Sequence, residues 1–213
     1  MPRLLLTAGP TREPLDSVRF IGNRSSGRMG LAIAAAAADA GWSTTLLLGP
    51  GPESPSGPIN SIRFQTTDEL DALLHEHWPD HDVLIMAAAV ADERPAEEPT
   101  KGKHTRGEAR TLVLEPTPDL LAGLTPVTRA DQFRVGFALE PQEHLLERAQ
   151  AKMNRKGVDA IVANPLDTME SSTVTATVLF DGGVTLDAPK NLDKATFATW
   201  LLEQITPHLP TSA

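Results

Sequence analysis

Leu4-Leu5-Leu6-Thr7-Ala8-Gly9-Pro10-Thr11-Arg12-Glu13-Pro14, then Gly22-Asn23-Arg24-Ser25-Ser26-Gly27-Arg28-Met29-Gly30, then the alanine-rich run Leu31 to Ala40, decide the fold class. The leucines read as a short buried strand, and the segment Ser26–Ala40 as a helix ended by Gly41. A loop rich in glycine and serine that opens a helix is a ready-made anion site. The first N–H groups of a helix lack partners and carry the positive end of its dipole. Gly27 and Gly30 admit a close backbone or ligand, and Asn23, Ser25 and Ser26 add directional hydrogen bonds. The physical reading is a phosphate or nucleotide site at the first strand-to-helix turn of an α/β fold.

Two common nucleotide motifs do not account for this turn. The spacing Gly22-x4-Gly27 starts like a P-loop, but Arg28 and Met29 stand where Lys and Ser/Thr belong. No G-x-G-x-x-G occurs in the chain, so the usual dinucleotide fingerprint is missing. The segment instead resembles phosphopantothenoylcysteine synthetase, the ligase of coenzyme A biosynthesis. That family has a T-A-G-P-T-R-E-P start and an N-x-S-S-G-x-M-G turn, and this chain carries both, in order and correctly spaced.

Composition bounds the alternatives. A chain of 213 residues holds one sizeable α/β domain, read here as a single unit over 1–213. Hydrophobic residues at 40% and charged residues at 22% are ordinary for a globular protein. There is no cysteine, which removes disulfides, thiolate metal ligands and a cysteine nucleophile, and is compatible with a cytoplasmic location. Met1-Pro2-Arg3 leads straight into a strand without a signal-peptide pattern, and the apolar run Leu31–Ala38 is too short to span a bilayer. A net charge of −9 argues against a general nucleic-acid binder. Such a chain still binds anions where it gathers its cations.

Strands and helices alternate along the chain, which implies a Rossmann-like, doubly wound, mainly parallel sheet. Strands are expected at Leu4–Thr7, Thr44–Leu48, Ile62–Gln65, Val83–Ala89, Arg134–Ala138 and Ala160–Ala163. Thr66-x-x-Glu69 is a capping box that opens a helix through His75. Gln142–Met153 reads as an amphipathic helix with Leu145, Leu146 and Ala149 inward, and Asp193–Ile205 as a closing helix. Thr111–Leu114 and Thr173–Phe180 carry β-formers without helical crossovers, so they form an arm or an antiparallel edge. The histidines at 75, 77, 81, 144 and 208 show no ligand pattern and are assigned to helix and loop surfaces, with no metal. Asp16 and Arg19 serve equally as a structural ion pair or as ligand contacts.

Four further clusters bear on chemistry. Ala87-Ala88-Ala89-Val90-Ala91-Asp92 ends the buried strand, where open α/β sheets bind ligands; small residues there admit a flat base, and Asp92 accepts from a base or holds a metal. Position alone serves equally well for alanines packed under a helix with Asp92 as a cap. Lys101-Gly102-Lys103-His104 lies on a polar stretch and reads either as solvated surface or as cover for a triphosphate. Val135-Gly136-Phe137-Ala138-Leu139-Glu140 ends another strand, with Phe137 either a core residue or one wall of a base pocket. Lys152 to Asn164 carries lysines that a helix C-terminus stabilises with or without a ligand.

The resemblance extends to each cluster. The family has A-A-V-A-D, V-G-F-A-x-E and K-x-x-x-K-G-x-D-x-I-V-A-N motifs, all present here, and a K-I-K-K motif matched only in part by Lys101 and Lys103. Gly102 replaces Ile, His104 replaces the last Lys, and the spacing from Asp92 is one residue short. Pro165-Leu166-Asp167-Thr168-Met169-Glu170 departs from the aromatic loop the family carries. The resemblance implies Asn23, Lys101 and Lys103 as catalytic residues. It implies Gly9, Ser25, Ser26, Gly27, Ala88, Asp92, Phe137 and Lys156 as nucleotide-binding residues, and Asn164 as a polar contact. It implies a ligase that joins phosphopantothenate to L-cysteine through an acyl-nucleotide. The co-substrate is CTP or ATP with Mg²⁺, and the family works as a homodimer whose arms complete each other's site. Because Met1 directly precedes the first motif, a form without the flavin-dependent decarboxylase partner is expected. A nucleotide-binding homologue without ligation and a Rossmann-type NAD(P)-dependent oxidoreductase are the competing readings.

Overall fold

The computed structural model describes residues 1–51, 55, 57–103, 107, 109–166, 171 and 173–209. The expectation for His104 and the end of the segment that starts at Pro165 lie outside these residues. Six strands form a parallel core: β1 (Arg3–Ala8), β4 (Ser43–Leu48), β5 (Ile59–Arg63), β6 (Val83–Met86), β9 (Phe133–Glu140) and β10 (Ala160–Pro165). β12 (Thr177–Phe180) and β13 (Thr185–Asp187) add an antiparallel edge, giving the order β13-β12-β10-β9-β6-β1-β4-β5. Counted by chain order, the parallel strands run 3-2-1-4-5-6, the order of the Rossmann fold. The mainly parallel α/β architecture is as the sequence predicts.

Alternation along the strands builds two apolar layers. Leu4, Leu6 and Ala8 face helices α1 (Arg28–Asp39) and α5 (Lys194–Ile205), through Ile33, Ala37, Phe197 and Leu201. Leu5 faces the other way, against α2 (Thr67–His77), α3 (Leu120–Gly123) and α4 (Leu145–Lys156), through Leu70, Leu74, Leu121, Ala149 and Met153. The capping box of α2 forms as expected: Thr66 accepts from the Glu69 N–H, and the Glu69 carboxylate accepts from the Thr66 N–H.

Small two-stranded pieces surround the carboxyl end of the sheet. β2 (Arg12–Pro14) pairs with β3 (Phe20–Gly22), β7 (Glu93–Pro95) with β8 (Leu114–Pro116), and β11 (Thr173–Val174) with β14 (Leu192–Asp193). Several expectations need correction. Of the two readings of Thr173–Phe180, the antiparallel edge holds and the arm does not: Thr177–Phe180 is buried in the main sheet, and Thr173–Val174 pairs beside it. The third parallel strand lies at Ile59–Arg63 rather than Ile62–Gln65, because Gln65 and Thr66 are spent on capping α2. The buried strand stops at Met86 and the following alanines turn over the cleft. Leu146 is 49% exposed; the buried stripe of α4 is Leu145, Ala149 and Met153, spaced by four as one helix face requires. His81 is buried, not a surface residue, and hydrogen-bonds the His77 carbonyl through Nδ1 at 2.6 Å and Thr45 Oγ1 through Nε2 at 3.0 Å.

Candidate functional site

In a 3-2-1-4-5-6 sheet the strand order reverses between β1 and β6, and the crevice opens at their carboxyl ends. The first motif and the alanine motif meet there. Ala89 N–H donates to Gly9 O at 3.0 Å, and Thr11 N–H donates to Ala89 O at 3.2 Å. Ala88 N–H reaches Thr7 Oγ1 at 3.0 Å, and Ala91 N–H reaches Thr11 Oγ1 at 2.9 Å. Asn23, just after β3, donates from Nδ2 to Val90 O at 2.8 Å. Gly9, Asn23, Ala88 and Asp92 therefore converge on one crevice. Thr7 and Thr11, to which the sequence reading gave no role, hold it together.

The turn into α1 is built for close approach. Gly27 is the N-cap, with a left-handed backbone at φ 68° and no side-chain cap. Its N–H donates to Ser25 Oγ at 3.3 Å. The helix begins at Arg28, so Ser26, expected to open it, belongs to the turn together with Ser25. No acidic side chain occupies the first turn, which keeps the positive end of the dipole unopposed. Gly30 packs against β1 so tightly that a Cβ there would lie 2.3 Å from Ala8 Cβ.

The lysine segment is stitched to the β2–β3 hairpin. Gly102 N–H donates to Ser17 Oγ at 3.0 Å, and Ser17 N–H donates to Gly102 O at 3.1 Å. Lys101 and Lys103, both exposed, flank this contact beside the hairpin that leads to Asn23. Gly102 has φ 92°, a left-handed backbone that favours glycine at this place in the motif. Asp16 and Arg19 are an ion pair at 2.6 Å within the same hairpin loop.

Helices α3 and α4 carry further charge. Lys156 Nζ lies 2.5 Å from Asp119 Oδ1, and Asp119 caps α3 by accepting from Ala122 N–H. Burial would raise the Asp119 carboxyl, but the Lys156 hydrogen bond, the Ala122 amide and the Lys156 and Arg155 charges outweigh it and hold it low. Lys152, one turn back on α4, is half-buried. Burial, then the Lys156 charge, push its amine below the usual lysine range, against the attraction of Glu140 and Asp92. Lys152 was given no role in the sequence reading; its place four residues before Lys156 is the signal that it shares that face. Phe137 is half-buried near the end of β9 and packs on the α1–α5 layer. Asn164 is engaged by the fold itself, donating to Thr175 O at 2.8 Å.

Fold and crevice together define a Rossmann-like α/β domain with a crevice at the β1–β6 switch point. The chain belongs to the family described as the DNA/pantothenate metabolism flavoprotein C-terminal domain, whose model matches residues 2–209. It is 43% identical over 166 residues to a cysteine/cysteine sulfinic acid decarboxylase from an unknown prokaryotic organism, covering 77% of this chain and 46% of that protein. It is 41% identical over 165 residues to the coenzyme A biosynthesis bifunctional protein CoaBC of Vibrio cholerae serotype O1, covering 76% of this chain and 41% of that one. The chain thus spans less than half the length of these relatives. The crystal structure of the C-terminal domain of a CoaBC protein superposes with a TM-score of 0.82 at 34% identity, over 96% of this chain and 93% of that one.

Proposed function

We propose that the chain is a phosphopantothenate–cysteine ligase of coenzyme A biosynthesis. The observation that carries this reading is the meeting of Gly9, Asn23 and the Ala88–Asp92 loop at the switch point, in a domain that superposes on the C-terminal domain of CoaBC. The phosphopantothenate carboxylate attacks the α-phosphorus of CTP or ATP; the P–O bond to the β-phosphate breaks and pyrophosphate leaves. The amine of L-cysteine then attacks the acyl carbon, the nucleoside monophosphate departs with the electron pair, and the amine loses a proton to solvent.

Activation of this kind asks for positioning and charge neutralisation more than proton transfer. Ser25, Ser26, Gly27 and the α1 N-terminus bind phosphate. Lys101 and Lys103 cover the phosphates and the reacting carboxylate from the hairpin side, and Lys156 faces them from α4. One Asn23 N–H is committed to Val90 O, which sets the amide plane; the second holds the carbonyl oxygen of the acyl-nucleotide. Ala88 and Phe137 bound the base. Asp92 would accept from the base or help hold Mg²⁺, which would supply charge at the phosphates. Among the described residues no three acidic, cysteine or histidine side chains gather for a metal. Leu112, Val113 and Leu114, exposed at the β7–β8 arm, pair two copies into a homodimer. Among the described residues no helix is long and apolar enough to cross a membrane.

The test is pyrophosphate release with Mg²⁺ and phosphopantothenate, comparing CTP with ATP, with and without cysteine. Release that depends on phosphopantothenate, and a ligated product once cysteine is added, is the expected result and names the nucleotide. Absence of release with both nucleotides from folded protein refutes the ligase. Asn23→Ala is expected to lower ligation by about 10²-fold, the usual cost of one lost donor at a reacting oxygen.

A further inference from the structure

Glu13, Thr11 and Thr67 are polar yet only 4%, 0% and 0% exposed, and they lie behind the crevice rather than in it. We infer that Glu13 and Thr67 are positioning residues that hold the Ala88–Asp92 loop through Thr11. The inference rests on the proposed function in so far as that loop binds the nucleotide.

The contacts form a directed chain. Thr67 donates to Glu13 Oε1 twice, from its hydroxyl at 2.7 Å and from its N–H at 2.9 Å. Thr67 Oγ1 and Thr11 Oγ1 are 3.4 Å apart, and Thr11 Oγ1 accepts from Ala91 N–H at 2.9 Å. A hydroxyl has one proton, and a carboxylate only accepts. The Thr67 proton is therefore committed to Glu13, which turns the Thr11 proton towards Thr67. The Thr11 lone pair is then left facing the Ala91 N–H. Glu13 thus sets the polarity of every link up to the backbone beside Asp92.

The far side of the same backbone is held as well. Thr117 donates from its hydroxyl to Ala91 O at 2.5 Å and from its N–H to Asp92 O at 3.0 Å. Thr67 sits on the first turn of α2, so the orientation of the loop is keyed to the start of that helix. A buried chain of this kind is costly when broken, because each member loses a partner it cannot replace with water.

The experiment compares wild type with Thr67→Val, which removes Oγ1 but keeps shape and the N–H bond to Glu13, and with Thr67→Ser, which keeps the hydroxyl. Two quantities are read: amide hydrogen exchange at Ala91 by NMR, and the nucleotide KM in pyrophosphate release. T67V is expected to speed Ala91 exchange and to raise the nucleotide KM, each about three- to tenfold, with the cysteine KM unchanged and T67S close to wild type. Unchanged Ala91 exchange in T67V overturns the inference. So does a lower stability with unchanged nucleotide KM, which is what a merely structural role produces. If wild type itself releases no pyrophosphate, the functional reading falls, and Ala91 exchange alone decides the relay.

Discussion

Lys156 Nζ and Asp119 Oδ1 are 2.5 Å apart, an ion pair that joins the last turn of α4 to the N-cap of α3. Below it, the buried Arg134 guanidinium donates to Leu121 O, Thr125 Oγ1 and Gly157 O, so the C-terminal end of α4 is tied to α3 and the turn after it. The Lys156 ammonium is therefore held in place by a carboxylate.

Asp119→Ala removes both the pair and the cap. Each is worth about 1 kcal/mol, the pair less for being partly exposed, so urea unfolding should show a loss of about 1–2 kcal/mol. Because the Asp119 carboxyl is held below its ordinary value, its contribution is complete above about pH 4 and disappears as acid protonates it in the fold. The wild-type and Asp119→Ala stabilities should converge in that acid range, apart from the part of the cap that needs no charge.

His81 gives a second pH dependence, of the opposite chemical kind. Burial lowers its pKa, with the His77 carbonyl opposing. The unfolded chain takes up a proton near pH 6.5 while the folded imidazole resists it, so stability falls as pH drops below about 6.5 until the folded ring also titrates. His81→Gln should flatten the stability profile of that window, measured by thermal melts from pH 5 to 8.

Gly30→Ala tests how closely α1 rests on β1. The new Cβ would lie 2.3 Å from Ala8 Cβ and 3.1 Å from Ala8 Cα, with no flexible side chain to give way. Overpacking of this sort costs about 1–3 kcal/mol, and in a chain of this size each kcal/mol lowers Tm by roughly 2–4 °C. The shift also displaces the α1 N-terminus, the proposed phosphate site, so on that proposal nucleotide affinity should fall alongside Tm.

The arm supplies a test of assembly. Leu112, Val113 and Leu114 are 48%, 59% and 39% exposed. Replacing Leu112 and Val113 together by Asp is expected to shift sedimentation from dimer to monomer with the far-UV circular dichroism unchanged. A wild type that sediments as a monomer would refute the arm as a dimer contact.

The sheet, the capping box of α2 and the two turns at the crevice were readable from sequence because each is local. Strand alternation, Thr66 with Glu69, and the glycines at 27 and 30 carry their reason within a few residues. What escaped depends on long-range partners. The Thr7 and Thr11 hydroxyls matter only because Ala88 and Ala91 arrive from 80 residues away. The Lys156–Asp119 pair spans 37 residues, and nothing around either residue announces the other. His81 looked like a surface residue because its burial comes from Thr45 of β4 and from Gln132, which donates to the His81 carbonyl at 2.8 Å. Leu146 was misplaced for a simpler reason: beside Leu145, it cannot share a helix face spaced by four.

The sheet has two outer strands, and both are short. β13 is Thr185-Leu186-Asp187 with its first and last residues exposed; β5 carries Asn60, Ser61 and Arg63 among its five residues. A strand margin with unpaired amides is a template on which another molecule's strand can grow. Here the antiparallel β12–β13 hairpin ends one margin on a charged stub, and Arg63 marks the other, where it donates to Gly49 O at 3.1 Å. The fold thereby resists sheet-to-sheet polymerisation at its flanks, while Leu112, Val113 and Leu114 cluster three exposed apolar side chains on the β7–β8 arm. Colloidal behaviour at high concentration should accordingly be governed by exposed apolar side chains, the arm's three among them, more than by strand pairing.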